Sequence, residues 1–324
     1  MKNPLFAACA LVVAVGNAAI AAEPAVDYPQ RPIRIVIGFT PGGGPDITAR
    51  FLSQKLTERW RQQVVVDNRP GAGGTIAANI VATSNPDGYT LLSVSNAHAV
   101  AAAIYAKLPY DTVKDFAGIT MTASGPALLL VSPALNVKTT KELIAVLKAK
   151  PGQYNYSSAG VGSGSHLAGE LFKNMAGVDV VHVPFKGIPE AITETMTGRV
   201  QFFLSPLASA LNLARDGKAQ AIGVSGVKRA PQLPDVPTIA ETGLPGYRYD
   251  FWYGMLAPAK TPRAVVDRLN RDITDIMKSE DVRNRWIALG VEPAPTTPQE
   301  FDRFIREDIA TNVKLARAAN IRAD

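Results

Sequence analysis

The sequence predicts an α/β protein with two doubly wound lobes, and three observations support this fold class. Short apolar runs rich in Val, Ile and Leu alternate with segments of helical periodicity, a pattern typical of strand–helix–strand units. Several of these runs are apolar at every position, as expected of parallel strands that are covered on both faces. The chain has 324 residues, a length at which chains usually divide into two domains.

The predicted strands fall into groups along the chain. They are residues 33–37, 64–66, 90–94, 127–131, 154–157, 180–183, 200–204, 221–224 and 252–256. A turn-rich stretch, 107–116, follows the third strand, and a proline-rich connector, 231–245, precedes the last one. Two sheets fit this grouping better than one.

The domain organisation follows from the grouping of the strands. We expect residues 23–124 with about 246–290 to form the first lobe and residues 125–245 to form the second. A C-terminal helical segment over 291–324 is expected to pack on the lobes. A return of the chain to the first lobe would make a hinge of two crossing segments.

Sequence signals also mark the starts of helices. Thr139 with Glu142, and Thr297 with Glu300, have the spacing of a capping box, in which side chains satisfy the first N–H groups of a helix. Pro189 fits the first turn of another helix, where its missing N–H costs nothing. We therefore expect helices to begin at these three points.

The first residues have the composition of a secretory signal peptide. Lys2 precedes the apolar run 5–15, and small residues follow over 18–22. The run is shorter than the ~20 apolar residues needed to span a bilayer, although an uncleaved anchor is the alternative. We expect cleavage to remove residues 1–22. The single cysteine, Cys9, would leave with them, so no disulfide, thiolate nucleophile or Cys-ligated metal is expected in the mature chain.

Charge and motif content argue against several function classes. The net charge is +6, but Lys and Arg are scattered, so we expect no nucleic-acid partner. The mildly positive field would favour anionic ligands. No dinucleotide fingerprint, phosphate loop or nucleophile elbow occurs. The three histidines lack metal-ligand spacing. We expect no cofactor, no metal and no catalytic residues, although a serine hydrolase using Ser163 or Ser165 is an alternative.

Loops rich in Gly and small hydroxyl residues follow several predicted strands. They are residues 39–46, 68–75, 93–98, 157–166 and 184–189. Ligands of open α/β sheets bind beyond the carboxyl ends of the strands, where these loops would meet. Glycines that expose N–H groups at a helix start make an anion site by geometry and dipole. The loops therefore predict an anion site, with Lys186 as a possible counter-charge or a solvated surface residue.

Several of these segments, taken in order, resemble the Bug family, the periplasmic solute receptors of tripartite tricarboxylate transporters. The resemblance extends from about residue 27 to the C-terminus, nearly the whole mature chain. The segments that carry it are residues 28–36, 41–50, 68–74, 85–91, 151–158, 183–187 and 233–243.

The resemblance implies a periplasmic-binding-protein (Venus flytrap) architecture, type II-like, with two α/β lobes around a central cleft. It also implies a periplasmic location, a small carboxylate ligand and integral-membrane transporter subunits as partners. We expect a monomer. A sensor subunit of a two-component system is an open alternative, and the ligand could be a di- or tricarboxylate, an acidic amino acid or an aromatic carboxylate.

In the family, backbone amides, small hydroxyls and ordered water hold the carboxylate. The residues expected to bind the ligand here are Thr40, Gly42, Gly43, Gly44, Asp46, Ser95, Asn96, Ser158, Gly160, Ser163, Gly164, Ser165, His166, Lys186 and Trp252. Trp252 could stack on a flat ligand or merely pack.

Overall fold

The computed structural model describes residues 27–318 and 321–322. The predicted signal peptide, 1–22, lies outside the described residues. The strands are β1 Ile33–Ile37, β2 Val64–Asn68, β3 Thr90–Ser95, β4 Phe116–Val131, β5 Asn155–Ser158, β6 Val181–Pro184, β7 Phe202–Pro206, β8 Gln220–Val224, β9 Asp250–Pro258 and β10 Glu292–Pro293.

The helices lie between these strands and after the last of them. They are α1 Gly44–Trp60, α2 Thr75–Ala82, α3 Asn96–Ile104, α4 Thr140–Ala149, α5 Gly164–Ala176, α6 Ile188–Met196, α7 Leu207–Arg215, α8 Ile239–Thr242, α9 Arg263–Lys278, α10 Glu280–Ala288 and α11 Pro298–Ala318. Each of these helices is too short or too polar to cross a membrane.

The strands form one continuous hydrogen-bonded path in the order β2-β1-β3-β9-β4-β7-β5-β6, and β8 and β10 also pair with β4. The long strand β4 belongs to both ends of this path. Its first part, 116–126, pairs with β9, and its second part, 127–131, pairs with β7 and β8. We call β2, β1, β3, β9 and residues 116–126 the first half-sheet. Residues 127–131 with β7, β8, β5 and β6 are the second half-sheet.

The α/β class is confirmed, but the sheet is mixed rather than parallel. β1 runs parallel to β2 and β3, and β5 runs parallel to β6 and β7. β9 is antiparallel to both β3 and β4, because it belongs to the segment that returns from the second half-sheet. The parallel pairing expected from the continuous apolar runs therefore holds for β1, β2 and β3 and for β5, β6 and β7, and the strands that connect the halves pair antiparallel.

The first part of β4 was not predicted as a strand. Residues 116–126 contain Gly, Thr and Ser instead of a run of branched apolar residues, and their pairing with β9 is interrupted by two register shifts. Thr120 is fully buried, and its hydroxyl is satisfied by donating to the carbonyl oxygen of Thr296 at 2.9 Å. Tertiary hydrogen bonds of this kind leave no signal in the sequence.

The helix starts agree with the capping signals. Thr297 Oγ1 accepts the N–H of Glu300 at 3.3 Å, and Glu300 Oε2 accepts the N–H of Thr297 at 2.8 Å. Thr139 Oγ1 accepts the N–H of Glu142 at 3.1 Å, but the Glu142 carboxylate accepts from Lys138 instead of closing the box. Pro189 lies in the first turn of α6.

Candidate functional site

The carboxyl ends of β1 and β3 in the first half-sheet face those of β5 and β7 in the second. A small cavity of about 30 Å³, enough for one or two water molecules, lies where the N-termini of α1 and α5 approach each other. No charged side chain is among its lining residues. These are Phe39, Gly43, Gly44, Pro45, Ser95, Ala159, Ser163, Gly164, Ser165, Ile188, Pro206, Phe251 and Tyr253.

The N-terminus of α1 presents its backbone to this cavity without a side-chain cap. The N-cap residue is Gly43, which has no side chain to accept a hydrogen bond, and Pro45 has no N–H to satisfy. The ring of Tyr253 lies so close to Gly44 that a Cβ at Gly44 would overlap it. The uncapped N-terminus of α1 therefore lies at the cavity with its helix dipole beside the hydroxyl of Tyr253.

Two hydroxyl groups face the cavity beside this helix end. Ser95 and Tyr253 both line it, and neither hydroxyl makes a hydrogen bond with any residue that the structure describes. Burial raises the pKa of the Tyr253 phenol, so the group remains a protonated donor. Both hydroxyls can therefore donate to an anionic oxygen.

The N-terminus of α5 is braced by its own loop. Ser163 Oγ accepts the N–H of His166 at 3.2 Å, and Ser165 Oγ accepts the N–H of Ala159 at 3.0 Å. The two serine hydroxyls also lie 3.0 Å apart. These hydrogen bonds hold the loop so that the first amides of α5 face the cavity. Both serine hydroxyls are engaged in them, so neither is a free nucleophile.

Two histidines lie behind the α5 loop. The rings of His166 and His182 stack with centroids 4.0 Å apart, and His182 Nε2 lies 2.6 Å from Ser158 Oγ. Burial lowers the pKa of His166 to about 4 and that of His182 to about 3. His166 is therefore neutral at pH 7, and its Nδ1 accepts the N–H of Gly162 at 3.3 Å. The structure places His166 behind the loop as a brace.

Asp46 has a comparable place behind the α1 loop. Its carboxylate accepts the N–H of Gly42, the Arg50 guanidinium and the Asn68 amide, each at 3.0 Å. Only 4% of Asp46 is exposed. Its oxygens are thus occupied by the chain itself, and the structure places Asp46 where it holds the loop rather than at the cavity wall.

Asn96 and Trp252 join α3 to β9. The Asn96 amide donates to the carbonyl oxygen of Asp250 at 3.1 Å and accepts the N–H of Trp252 at 3.0 Å. The Trp252 ring packs edge-on against Phe304 at 5.3 Å and donates to Asp308 at 2.8 Å. For Trp252 the structure therefore shows packing, on the face of β9 opposite to the cavity.

Two of the other expected residues border a second cavity of about 230 Å³ that adjoins the first. Gly160 and Lys186 line it, and Lys186 is its one charged lining residue. Thr40 lies between the half-sheets, where its hydroxyl donates to Glu190 of α6 at 3.3 Å. Phe39 and Ala159 border both cavities.

Sequence reasoning missed the apolar walls of the site. Phe39 lines the smaller cavity from a loop, Ile188 from α6, Pro206 from β7, and Phe251 and Tyr253 line it from β9. The alternation of side chains along β9 was an available signal, since residues 251 and 253 must face away from residue 252. The other walls come together only in the folded chain.

Comparison with known families gives one matching model. The description of this model is tripartite tricarboxylate transporter family receptor, and it matches residues 48–321. The match covers most of the chain, including β2 to β10 and the loop before α5.

Individual relatives share most of their length with this chain. Protein BugT of Bordetella pertussis (strain Tohama I) is 34% identical over 298 residues, which are 91% of either chain. The R. palustris protein Rpa4515, solved with adipate, is 35% identical with a TM-score of 0.89 and covers 91% of this chain and 99% of its own. MatC from Rhodopseudomonas palustris, solved with bound malate, is 31% identical with a TM-score of 0.84 and covers 89% of this chain and 99% of its own.

Proposed function

Because the chain belongs to the family of tripartite tricarboxylate transporter receptors, we propose that it captures a small carboxylate in the periplasm and delivers it to integral-membrane transporter subunits. The observation that carries this proposal is the pair of helix N-termini, α1 and α5, that face one uncharged cavity. Helix N-termini favour anions through their unpaired N–H groups and their dipole. Relatives solved with adipate and with malate support a carboxylate as the anion.

The mechanism is closure of two lobes around the ligand. The first lobe comprises residues 23–124 with about 246–290, and the second comprises 125–245. A carboxylate that contacts Gly44 in one lobe and Gly164 in the other binds the closed form better than the open form, and this difference in affinity shifts the population towards closure. The closed, loaded form is the one that docks on the membrane subunits.

Binding without turnover is part of the proposal. A serine hydrolase needs a base within hydrogen-bond reach of its nucleophile. Ser163 and Ser165 instead bond each other at 3.0 Å, and His166 Nδ1 faces the N–H of Gly162. Ser158 does lie 2.6 Å from His182 Nε2, but it is fully buried and lines neither cavity. This arrangement supports a receptor over a hydrolase.

A carboxylate panel tests the function. The mature protein is screened by thermal shift against mono-, di- and tricarboxylates, acidic amino acids and aromatic acids, and hits are measured by calorimetry. We expect at least one acid to bind with micromolar or tighter affinity, about 8 kcal/mol, and to raise Tm with ligand excess. If no acid of the panel shifts Tm and none co-purifies with the protein, carboxylate capture is wrong.

Location is tested separately. The full chain is expressed in a Gram-negative host and the periplasmic fraction is analysed by intact mass. We expect a periplasmic product that begins near Glu23. A product that remains in the membrane fraction with residues 1–22 attached contradicts cleavage.

A further inference from the structure

We propose that Thr40, Gly187 and Glu190 form a latch between the lobes, which stabilises the closed form and sets carboxylate affinity without contacting the ligand. Thr40 belongs to the loop before α1 in the first lobe, and Gly187 and Glu190 belong to the start of α6 in the second. The three residues line neither cavity. This inference rests on the proposed function, because a latch matters only if the lobes open and close around a ligand.

The start of α6 has an incomplete capping box. The helices α4, α8 and α11 each have Thr at the N-cap and Glu at the third helical position, and the Thr hydroxyl accepts the N–H of that Glu. In α6 the third position also carries a Glu, Glu190, but the N-cap residue is Gly187 and no side chain caps the helix. The spacing of a capping box is thus present without its hydroxyl.

The hydroxyl of Thr40 occupies the space that a cap side chain of α6 would fill. A Cβ on Gly187 would lie 1.7 Å from Thr40 Oγ1 and 3.0 Å from Thr40 Cβ. From this position the hydroxyl donates to Glu190 Oε2 at 3.3 Å. A residue of the first lobe therefore takes the place of the missing N-cap hydroxyl of the second lobe, and it does so only while the lobes are closed.

The close approach of Thr40, and not the backbone conformation, requires a glycine at residue 187. The φ of Gly187 is −171°, an extended value that any residue adopts. Gly73, at another contact between the lobes, differs in this respect, since its φ is 62° and favours glycine by itself. A Cβ at Gly73 would also lie 2.5 Å from the carbonyl oxygen of Val161. The missing side chain of Gly187 is thus explained by the contact between the lobes.

The latch should act on every ligand alike. Its contacts form when the lobes close, so they add the same free energy to the closed form whichever acid lies between the lobes. A residue that contacts the ligand instead changes the affinity for one acid relative to another. The ratio of affinities between acids therefore separates a latch from a further ligand contact.

Two substitutions and their combination test the latch. Gly187→Ser gives α6 a cap hydroxyl within its own lobe, but the added Cβ would overlap the Thr40 hydroxyl. Thr40→Ala removes that hydroxyl, and the double variant removes the overlap. Thr193→Ala is the control for Thr40→Ala, since Thr193 is exposed on α6 and lines neither cavity. Calorimetry with several acids that bind the wild type measures each variant.

We expect Gly187→Ser to weaken the binding of every acid by the same factor, about 30-fold, because the overlap opposes closure. Its ligand-free Tm should not fall, since Ser is at least as good an N-cap residue as Gly. Thr40→Ala should weaken each acid about threefold through the lost hydrogen bond. The double variant should return to the affinity of Thr40→Ala, and Thr193→Ala should change no affinity.

A cysteine pair tests the contact itself. Cys9, the single cysteine of the sequence, lies in the predicted signal peptide, so Thr40→Cys with Gly187→Cys would be the only thiols of the mature chain. The 3.0 Å between the two Cβ positions is near the ~3.8 Å of a disulfide. We expect this pair to oxidise and to retain a previously bound acid until reductant is added. Thr40→Cys with Thr193→Cys should stay reduced, because Thr193 lies about 9 Å further along α6.

Several results would overturn the latch while carboxylate binding stands. Unchanged affinity in Gly187→Ser would show that the overlap does not oppose closure. Losses that differ from acid to acid would make Thr40 a ligand contact instead. Failure of the first cysteine pair to oxidise with an acid bound would show that Thr40 and Gly187 do not meet. If no acid binds the wild type, the proposed function is wrong, and oxidation of the pair would then still support the contact between the lobes, whereas a reduced pair would overturn it.

Discussion

The loops that precede α1 and α5 each hold a helix N-terminus at the central cavity, but different side chains secure them. Each brings a helix N-terminus to the central cavity from its own half-sheet. The α1 loop is held from behind by a charged group, the Asp46 carboxylate with its Arg50 partner. The α5 loop is held by neutral groups, namely the hydroxyls of Ser163 and Ser165 and the His166 imidazole.

The difference shows how an anion site can avoid formal charge at its wall. In both loops, the side chains that secure the backbone lie behind it, and the amides are left to face the cavity. The neutral group at the α5 loop depends on an unprotonated imidazole nitrogen of His166, which accepts the N–H of Gly162. The two helix ends should therefore respond differently to added side-chain volume, to acid and to the loss of a brace.

Added volume should have the largest effect. A Cβ at Gly44 would overlap the Tyr253 ring, whereas a Cβ at Gly164 would lie 3.0 Å from the nearest carbon of Phe251. We expect Gly44→Ala to weaken carboxylate binding by about 100-fold and Gly164→Ala by about tenfold, since overpacking displaces the facing ring. Calorimetry with the best acid of the panel measures both. A larger loss for Gly164→Ala would reverse the order of the two helix ends.

Acid should weaken the α5 side. The folded pKa of about 4 for His166 and about 3 for His182 lies below the unfolded value of about 6.5. The unfolded chain therefore takes up protons first as the pH falls. Stability is complete above about pH 6.5 and is lost towards pH 4, by about 2 kcal/mol per histidine at pH 5.

Urea unfolding at pH 7 and pH 5 measures this loss. The double variant His166→Asn with His182→Gln keeps acceptors near the two ring nitrogens and should lose less stability between these pH values. Burial also lowers the pKa of His98 to about 4, so some pH dependence should persist in the variant. An equal loss in wild type and variant would show that the stacked pair does not control acid stability.

Loss of a brace should have a smaller effect. Asp46→Ala removes the acceptor of the Gly42 N–H and one of the two acceptors of the Asn68 amide, and we expect a loss of about 2 kcal/mol in unfolding free energy. Ser163→Ala removes one N-cap and should cost about 1 kcal/mol. Chemical denaturation gives both values. If Ser163→Ala costs more, the neutral brace is the stronger of the two.

Trp252→Phe should have the least effect on the ligand. The ring lies on the opposite face of β9 from Phe251 and Tyr253, so carboxylate affinity should change by less than about twofold. Stability should fall by about 1 kcal/mol, because the half-buried Asp308 loses its donor. If calorimetry shows a large loss of affinity for an aromatic acid, Trp252 stacks on the ligand and this prediction is wrong.

Much of the fold could be predicted from the sequence, because continuous apolar runs indicate strands that are covered on both faces. Residues 33–37 form β1 as predicted, and the Gly-rich loops do lie at the strand ends. Residues 116–126 were not predicted as a strand, because they are small and hydroxyl residues whose polar groups are satisfied by tertiary hydrogen bonds. The sequence also could not distinguish a group at the cavity from one behind it, as Asp46 and His166 show. Apolar walls such as Ile188 and Pro206 belong to the site only through folding.

The crystal structure of the protein with its best carboxylate tests the central claim most directly. We predict one carboxylate group between the N-termini of α1 and α5, within hydrogen-bond distance of the Gly44 N–H and of the Ser95 and Tyr253 hydroxyls. Asp46 and His166 should remain bonded to their own loops. An acid bound elsewhere on the molecule, or one held in the cavity through contacts to Asp46 or His166, would contradict the account.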